Sequence, residues 1–161
     1  MELVKEKIKE FTGIRAFKAT DMVFIIERGI KEFGLKAMAD DHIRELAQAR
    51  EDNGQCITGV VNDKIIGCGG IDIMWDTVGE VWVLLAYDIG IYSMAAYEVI
   101  QDGLKKLIED NNLRRVQAWG RVGFDASHTL FRHLGFVPEG IARKYGYDGE
   151  DFILYALIKD D

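Results

Sequence analysis

The sequence predicts a single α/β domain built on a mixed sheet. Three observations carry this. The chain has 161 residues, the size of one ordinary domain with one packed core. Strand-like and helix-spaced segments alternate in the order β-α-α-β-β-β-α-β-α-β-β. One run, residues 80–86, is almost wholly apolar, as a central strand buried on both faces is.

Each element has its own warrant. Residues 1–12 read as a short amphipathic helical extension, with Val4, Ile8 and Phe11 on one side, ahead of a domain over 13–161. Residues 13–18 read as the first strand. Asp21 is placed as the N-cap of an apolar helix over 22–30. A second helix is expected over 39–51, where Ile43, Leu46 and Ala47 share a face, and Asp52-Asn53-Gly54 ends it. Residues 56–61 and 64–71 are strand runs joined by a tight turn at Asn62-Asp63. After strand 80–86, a helix over 93–109 carries Tyr97, Ile100, Leu104 and Leu107 at helical spacing and stops at Asn111-Asn112. A strand at 114–119 precedes a helix at 126–134, between Asp125 as its cap and Gly135 as its stop. Strands at 136–145 and 152–158 flank a turn at Asp148-Gly149. Gly67, Gly69 and Gly70 precede no helix, so they read as a bulge or close backbone approach, not a phosphate loop.

Composition narrows the function classes. The chain is 48% hydrophobic and 29% charged with one proline, which excludes collagen-like, Pro-rich and mostly disordered chains. Its 20 Lys+Arg against 27 Asp+Glu give a net charge of -7. That argues against nucleic-acid binding and mildly favours cationic ligands such as amines. No apolar run approaches the roughly 20 residues of a membrane helix, so no membrane partner is expected. Alternating charges over residues 1–10 leave no signal-peptide core, and a cytoplasmic chain is expected. Cys56 and Cys68 lie in strand-like runs, as buried thiols in a reducing compartment. His42, His128 and His133 show no metal-ligand spacing, and no metal is expected. Asp125, Ser127 and His128 fit a helix start better than a catalytic triad, and a Cys68 nucleophile is equally weak.

Two local sequences carry a resemblance. The segment Leu130-Phe131-Arg132-His133-Leu134-Gly135-Phe136, followed by Glu139-Gly140, resembles the late motif of GNAT-type N-acetyltransferases, where a helix ends in a Leu-Gly-Phe step and a strand leaves with Glu-Gly. Gly79-Glu80-Val81-Trp82-Val83-Leu84-Leu85-Ala86 is similar to that family's fourth strand, and residues 147–157 to its closing strand. By element order the resemblance covers 13–158. More narrowly, the chain is similar to GNAT-like proteins of tailed phages, the internal virion protein A type. The resemblance implies a GNAT-like fold, with a mixed, mostly antiparallel central sheet and helices on both faces. It implies an acetyl-CoA-dependent N-acetyltransferase, moving an acetyl group to a primary amine of a small molecule or protein.

The same resemblance assigns site residues. The CoA thioester would lie where the fourth and fifth strands splay, its pantetheine arm bonding backbone near Leu84 and Leu85. The pyrophosphate would sit on the next helix N-terminus, at Gly90, Ile91, Tyr92 and Ser93. This stretch departs from the family's Arg/Gln-x-x-Gly-x-Gly/Ala. Gly90 alone matches, Tyr87 and Tyr92 replace the flanking residues, and Asp88 adds negative charge. Glu80 is the candidate catalytic base for the amine proton. It alternates with Trp82 and Leu84 onto one face, and apolar neighbours would raise its pKa. The bland alternative is an exposed strand-start glutamate after a turn at 77–79. Phe131 stands where many of these enzymes place an acidic tyrosine hydroxyl. The proton donor then falls to Tyr92, Tyr145 or Tyr147, with none selected. Phe131 and Arg132 would border the cofactor, Arg132 meeting its phosphates, although Phe131 more simply packs on the sheet. Arg114, Arg115, Arg121, Arg143 and Lys144 make this third of the chain comparatively basic. Asp40, Asp41, Glu45, Asp148, Glu150 and Asp151 hint at a cationic acceptor. Two other readings stay open. One is a catalytically degenerate GNAT-fold phage protein with a structural or interaction role, in host cytoplasm or virion. The other is CoA or anion binding without turnover. A homodimer is left open by the unassigned sheet edges.

Overall fold

Turn chemistry builds the first half of the sheet. β1 (Gly13–Ala16), β2 (Cys56–Val61), β3 (Lys64–Trp75) and β4 (Val78–Leu85) pair antiparallel in succession. Asn62 and Asp63 both take positive φ, 48° and 62°, the geometry of the tight hairpin turn expected there. The computed structural model describes residues 10–27, 40–86 and 93–160. Residues 10–12 are not helical. Phe11 N–H donates to Asp63 Oδ1 at 2.9 Å and Asn62 N–H donates to Thr12 Oγ1 at 3.0 Å, so the β2–β3 turn takes the backbone a helix would have used. The rest of the expected extension, residues 1–9, lies outside the described residues.

The second half adds β5 (Arg115–Arg121), β6 (Val137–Ala142) and β7 (Phe152–Ile158). The sheet runs β1-β2-β3-β4-β5-β7-β6, and β4–β5 is its parallel pair. α1 (Ala19–Glu27) and α2 (Asp40–Asn53) cover one face, packing Met22, Ile25, Ile43 and Ala47 against Trp82 and Leu84. α3 (Ser93–Asp110) and α4 (Asp125–His133) cover the other, where Leu104, Leu107 and Phe131 meet Val81, Val116 and Tyr155. The mixed, mostly antiparallel sheet with helices on both faces is the expected fold.

Some element ends differ from expectation for local reasons. Asp21 is not an N-cap. It is the third residue of α1, and its Oδ2 accepts the Lys18 N–H at 3.0 Å, as an acidic residue three places past the cap does. Residues 28–30 of that expected helix lie outside the described residues. Asp125 is the first residue of α4; Phe124 is the N-cap and makes no side-chain cap bond. Gly135, at φ 95°, ends that helix as expected. β3 runs four residues past 71, still paired with β4. β6 ends at Ala142, because the chain turns where Lys144 takes φ 56°.

The β3 glycines do serve backbone needs. The β2–β3 register shifts at Gly59/Val60, opposite Gly67 and Ile65. At Gly70 a Cβ would lie 2.5 Å from the Gln55 carbonyl oxygen and 2.7 Å from Cys56 Sγ. The carbonyl cannot retreat without moving the backbone that enters β2. Gly70→Ala is therefore expected to destabilise the fold by about 2 kcal/mol, read as a lower urea midpoint at unchanged slope.

Candidate active site

The site forms where a parallel strand pair comes apart. The Thr77 carbonyl accepts N–H groups from Arg114 at 2.8 Å and Arg115 at 3.2 Å, fixing β5 beside the start of β4. Pairing runs from Val78↔Arg115 to Val81↔Ala118 and stops there. Both strands continue. β4 stays with β3 to Leu85↔Gly67, and β5 stays with β7 to Arg121↔Phe152. Each is held by its outer neighbour, so the two diverge as a V. Leu84 and Leu85 lie on the open arm, where β4 has no partner in β5. Backbone there suits an amide-containing chain that bonds as a strand does.

Glu80 sits at the closed end of this V. It is the third residue of β4, not a strand-start residue; the turn lies at Asp76-Thr77. Its register partners are Asp72 on β3 and Gln117 on β5. With Trp82 and Leu84 it faces α1 and α2, and it lines a cavity of about 400 Å³. Burial pushes its pKa up, and the nearby Asp72 carboxylate adds to this. Bonds from the Gln117 and Trp119 side chains and the charge of Arg50 only partly offset it.

The cavity contains residues that the sequence reading did not single out. Arg50, from α2, stacks its guanidinium 3.9 Å above the Trp82 ring and pairs with Asp72 at 3.4 Å. Trp119 stacks on Tyr145, ring centroids 4.4 Å apart and planes 20° from parallel. Two signals were available. Arg50 continues the Ile43, Ala47 helical stripe at the next turn, and Ile71-Asp72-Ile73 keeps strand alternation past the expected strand end. Trp82 lies in the α1/α2 cluster, edge-on to Phe17, with centroids 5.8 Å apart.

Of the named proton donors, Tyr145 and Tyr147 line the same cavity as Glu80. Burial, then Glu80 and Tyr147, push the Tyr145 hydroxyl up, so it stays protonated. Tyr92, Gly90 and Ile91 lie outside the described residues, and Ser93 is described only as the first residue of α3. Phe131 is 4% exposed, packed among Phe136 and Tyr155, and Arg132 beside it is exposed. Arg115 is held by Glu139 through two bonds, and Arg121 pairs with Asp148 at 2.7 Å. His128 is structural. Its Nε2 lies 2.7 Å from the Arg121 carbonyl, which can only accept, so Nε2 donates there, and its Nδ1 is hydrogen-bonded to Tyr155 Oη at 2.6 Å. That occupies both ring nitrogens and removes the triad. Both cysteines are buried, and burial raises Cys56 to about 12 and Cys68 further, which keeps the thiols protonated. Among the described residues no group of His, Cys, Asp and Glu is placed to hold a metal, and no helix is long and apolar enough to cross a membrane.

Solved structures share this architecture. A GNAT-family acetyltransferase from Bacillus anthracis superposes with TM-score 0.68 at 16% identity, covering 92% of this chain and 97% of that one. The chain's fold is the GNAT acetyltransferase fold. The GNAT-fold protein yncA from Salmonella typhimurium, solved with its cofactor acetyl-CoA, gives TM-score 0.70 at 15% identity, covering 94% of this chain and 95% of that one. A ribosomal-protein-S5-alanine acetyltransferase from Vibrio fischeri gives 0.65 at 23%, covering 95% and 97%. No protein-family model and no curated protein matches the sequence.

Proposed function

We infer that the protein is an acetyl-CoA-dependent N-acetyltransferase whose acceptor is a primary amine and whose general base is Glu80. One observation carries this reading. A half-buried carboxylate with a raised pKa faces an open cavity, at the point where the parallel strands of a GNAT fold part. The diverging strands fit the pantetheine arm of the cosubstrate, with Leu84 and Leu85 as its backbone partners. Arg132 is the exposed cation at the end of α4 assigned to the phosphates, together with the helix start at Gly90, Ile91, Tyr92 and Ser93. A structural neighbour bound to acetyl-CoA supports the choice of cosubstrate.

Acetyl-CoA supplies the acetyl group as a thioester. Glu80 accepts the proton of the acceptor ammonium, which frees the nitrogen lone pair to bond to the acetyl carbonyl carbon. As the carbon–sulfur bond breaks, the sulfur takes a proton for which Tyr145 and Tyr147 are the candidate donors. The degenerate alternative rests on the altered turn at 87–92 and on Phe131 in place of a tyrosine. Burial of Phe131 against Phe136 and Tyr155 gives that one residue a packing reason.

Calorimetric titration tests the reading at its base. Acetyl-CoA and CoA are each expected to bind at about micromolar Kd, near 8 kcal/mol. An absence of heat at millimolar cosubstrate would overturn the assignment.

A further inference from the structure

We propose that the acceptor is a small monoamine with a flat apolar body, its ammonium seated between Asp72 and Glu80 and its body against the Trp119–Tyr145 stack, and that Arg50 excludes acceptors carrying a second cation. The proposal rests on the acetyltransferase reading and adds the class of acceptor.

Charge comes first. Asp72 and Glu80 are direct register partners across β3 and β4, so their side chains leave the same face. Such partners stand about 5 Å apart at Cβ, and like charges there repel. Arg50 offsets Asp72 through one contact at 3.4 Å. Two carboxylates against one guanidinium leave a single negative charge, which one ammonium neutralises. The acidic residues of the last hairpin do not line this cavity. Asp148 and Glu150 face Arg121 at 2.7 and 4.0 Å, and Asp151 accepts the Lys144 backbone N–H at 2.9 Å.

Arg50 then decides what else can enter. It is fixed between the Trp82 face and Asp72, with its side chain only 15% exposed. A second ammonium near it would meet a like charge on a side chain that is mostly out of water, which weakens its binding.

The remaining wall is aromatic. The Trp119–Tyr145 stack, Tyr147 and Phe152 border the cavity and suit a flat apolar body beside an ammonium. About 400 Å³ matches a small molecule.

The test is a steady-state panel with saturating acetyl-CoA, read by thiol release and by mass of the acetylated product. The amines are 2-phenylethylamine, 1,4-diaminobutane, spermidine, phenylalanine and a lysine-containing peptide. The kcat/KM for 2-phenylethylamine is expected to exceed each of the others by about tenfold or more. Arg50→Met is expected to raise the diamine value about tenfold relative to 2-phenylethylamine, while Arg50→Lys, which keeps the charge, retains the preference. Should Arg50→Met fail to fold, the wild-type panel and Arg50→Lys decide the matter. Diamines, phenylalanine or the peptide equalling the monoamine would overturn the proposal and leave the acetyltransferase reading intact. A protein that binds acetyl-CoA but acetylates no small amine would also overturn the proposal. One that binds no acetyl-CoA would overturn both.

Discussion

Glu80→Gln is expected to lower kcat/KM for the amine by about a hundred- to a thousand-fold while leaving acetyl-CoA affinity within about twofold. The amide keeps the shape of the side chain but cannot take a proton. On the proposed reading the cosubstrate lies along the open arm of the V, past Val81 where β4–β5 pairing ends, so its affinity is expected to hold. The pH profile separates this from a packing defect. As the proposed base, Glu80 would act only when ionised, and burial, with Asp72 beside it, raises its pKa from the ordinary carboxylate value. The wild-type kcat/KM therefore climbs with pH along a limb displaced upward from the ordinary value of 4.5, and that limb vanishes in the variant. Stability moves the other way. A carboxyl whose folded pKa is raised stabilises the fold most below its unfolded pKa, and that contribution is lost as pH rises through the folded value. At neutral pH the variant no longer buries a charge, so its urea midpoint is expected to match or exceed the wild type. A variant with unchanged turnover across pH would remove Glu80 from the mechanism.

The sequence made the sheet legible and left the cavity largely hidden, for different physical reasons. Strand and helix positions follow from period and turn chemistry, which are local. β2 appears where Cys56–Val61 reads as a strand, and the Asn62-Asp63 turn takes the positive φ its residues favour. The acidic residue on the apolar fourth strand was legible for the same reason, since alternation alone places Glu80, Trp82 and Leu84 on one face. What surrounds Glu80 is set by register between distant segments. Asp72 is eight positions away and meets Glu80 only because the β3–β4 hairpin turns at Asp76-Thr77. Arg50 arrives from a helix on the covering layer, and nothing local marks a lone arginine on an apolar stripe as a stacking partner of Trp82. Asp21 and Asp125 were misplaced as caps because a short acidic side chain suits both the cap and the first helical turn.

Asp21→Asn is expected to destabilise the fold by about 3 kcal/mol at neutral pH. Asp21 is 5% exposed and its carboxylate accepts four bonds. Arg15 donates two, at 2.7 and 2.9 Å, Thr58 Oγ1 donates at 2.7 Å, and the Lys18 N–H donates at 3.0 Å. An amide replaces one acceptor with a donor, so at least one of these donors faces another donor in a buried place. The pH dependence has a definite sign. Burial pushes the Asp21 carboxyl up, but Arg15, Thr58 and the Lys18 N–H together outweigh it and the pKa is lowered from 3.8. A lowered folded pKa gives stability that is present above the unfolded value and lost as pH falls through the folded one. The gap between wild type and variant should therefore be full at neutral pH and shrink below pH 3.8. Thermal unfolding followed at neutral pH and in acid reads both, and a gap independent of pH would show that the carboxylate charge is not what holds α1. The consequence reaches the site through the contact between α1 and α2. The Ala19 N–H donates to Glu51 at 3.3 Å, which ties the start of α1 to α2, and α2 carries Arg50 over Trp82. Loosening α1 thus loosens the guanidinium that restrains Asp72. In the variant at a temperature where it stays folded, KM for the amine should rise while acetyl-CoA affinity holds, because the backbone of the open arm of the V is held by its pairing with β3 as far as Leu85↔Gly67.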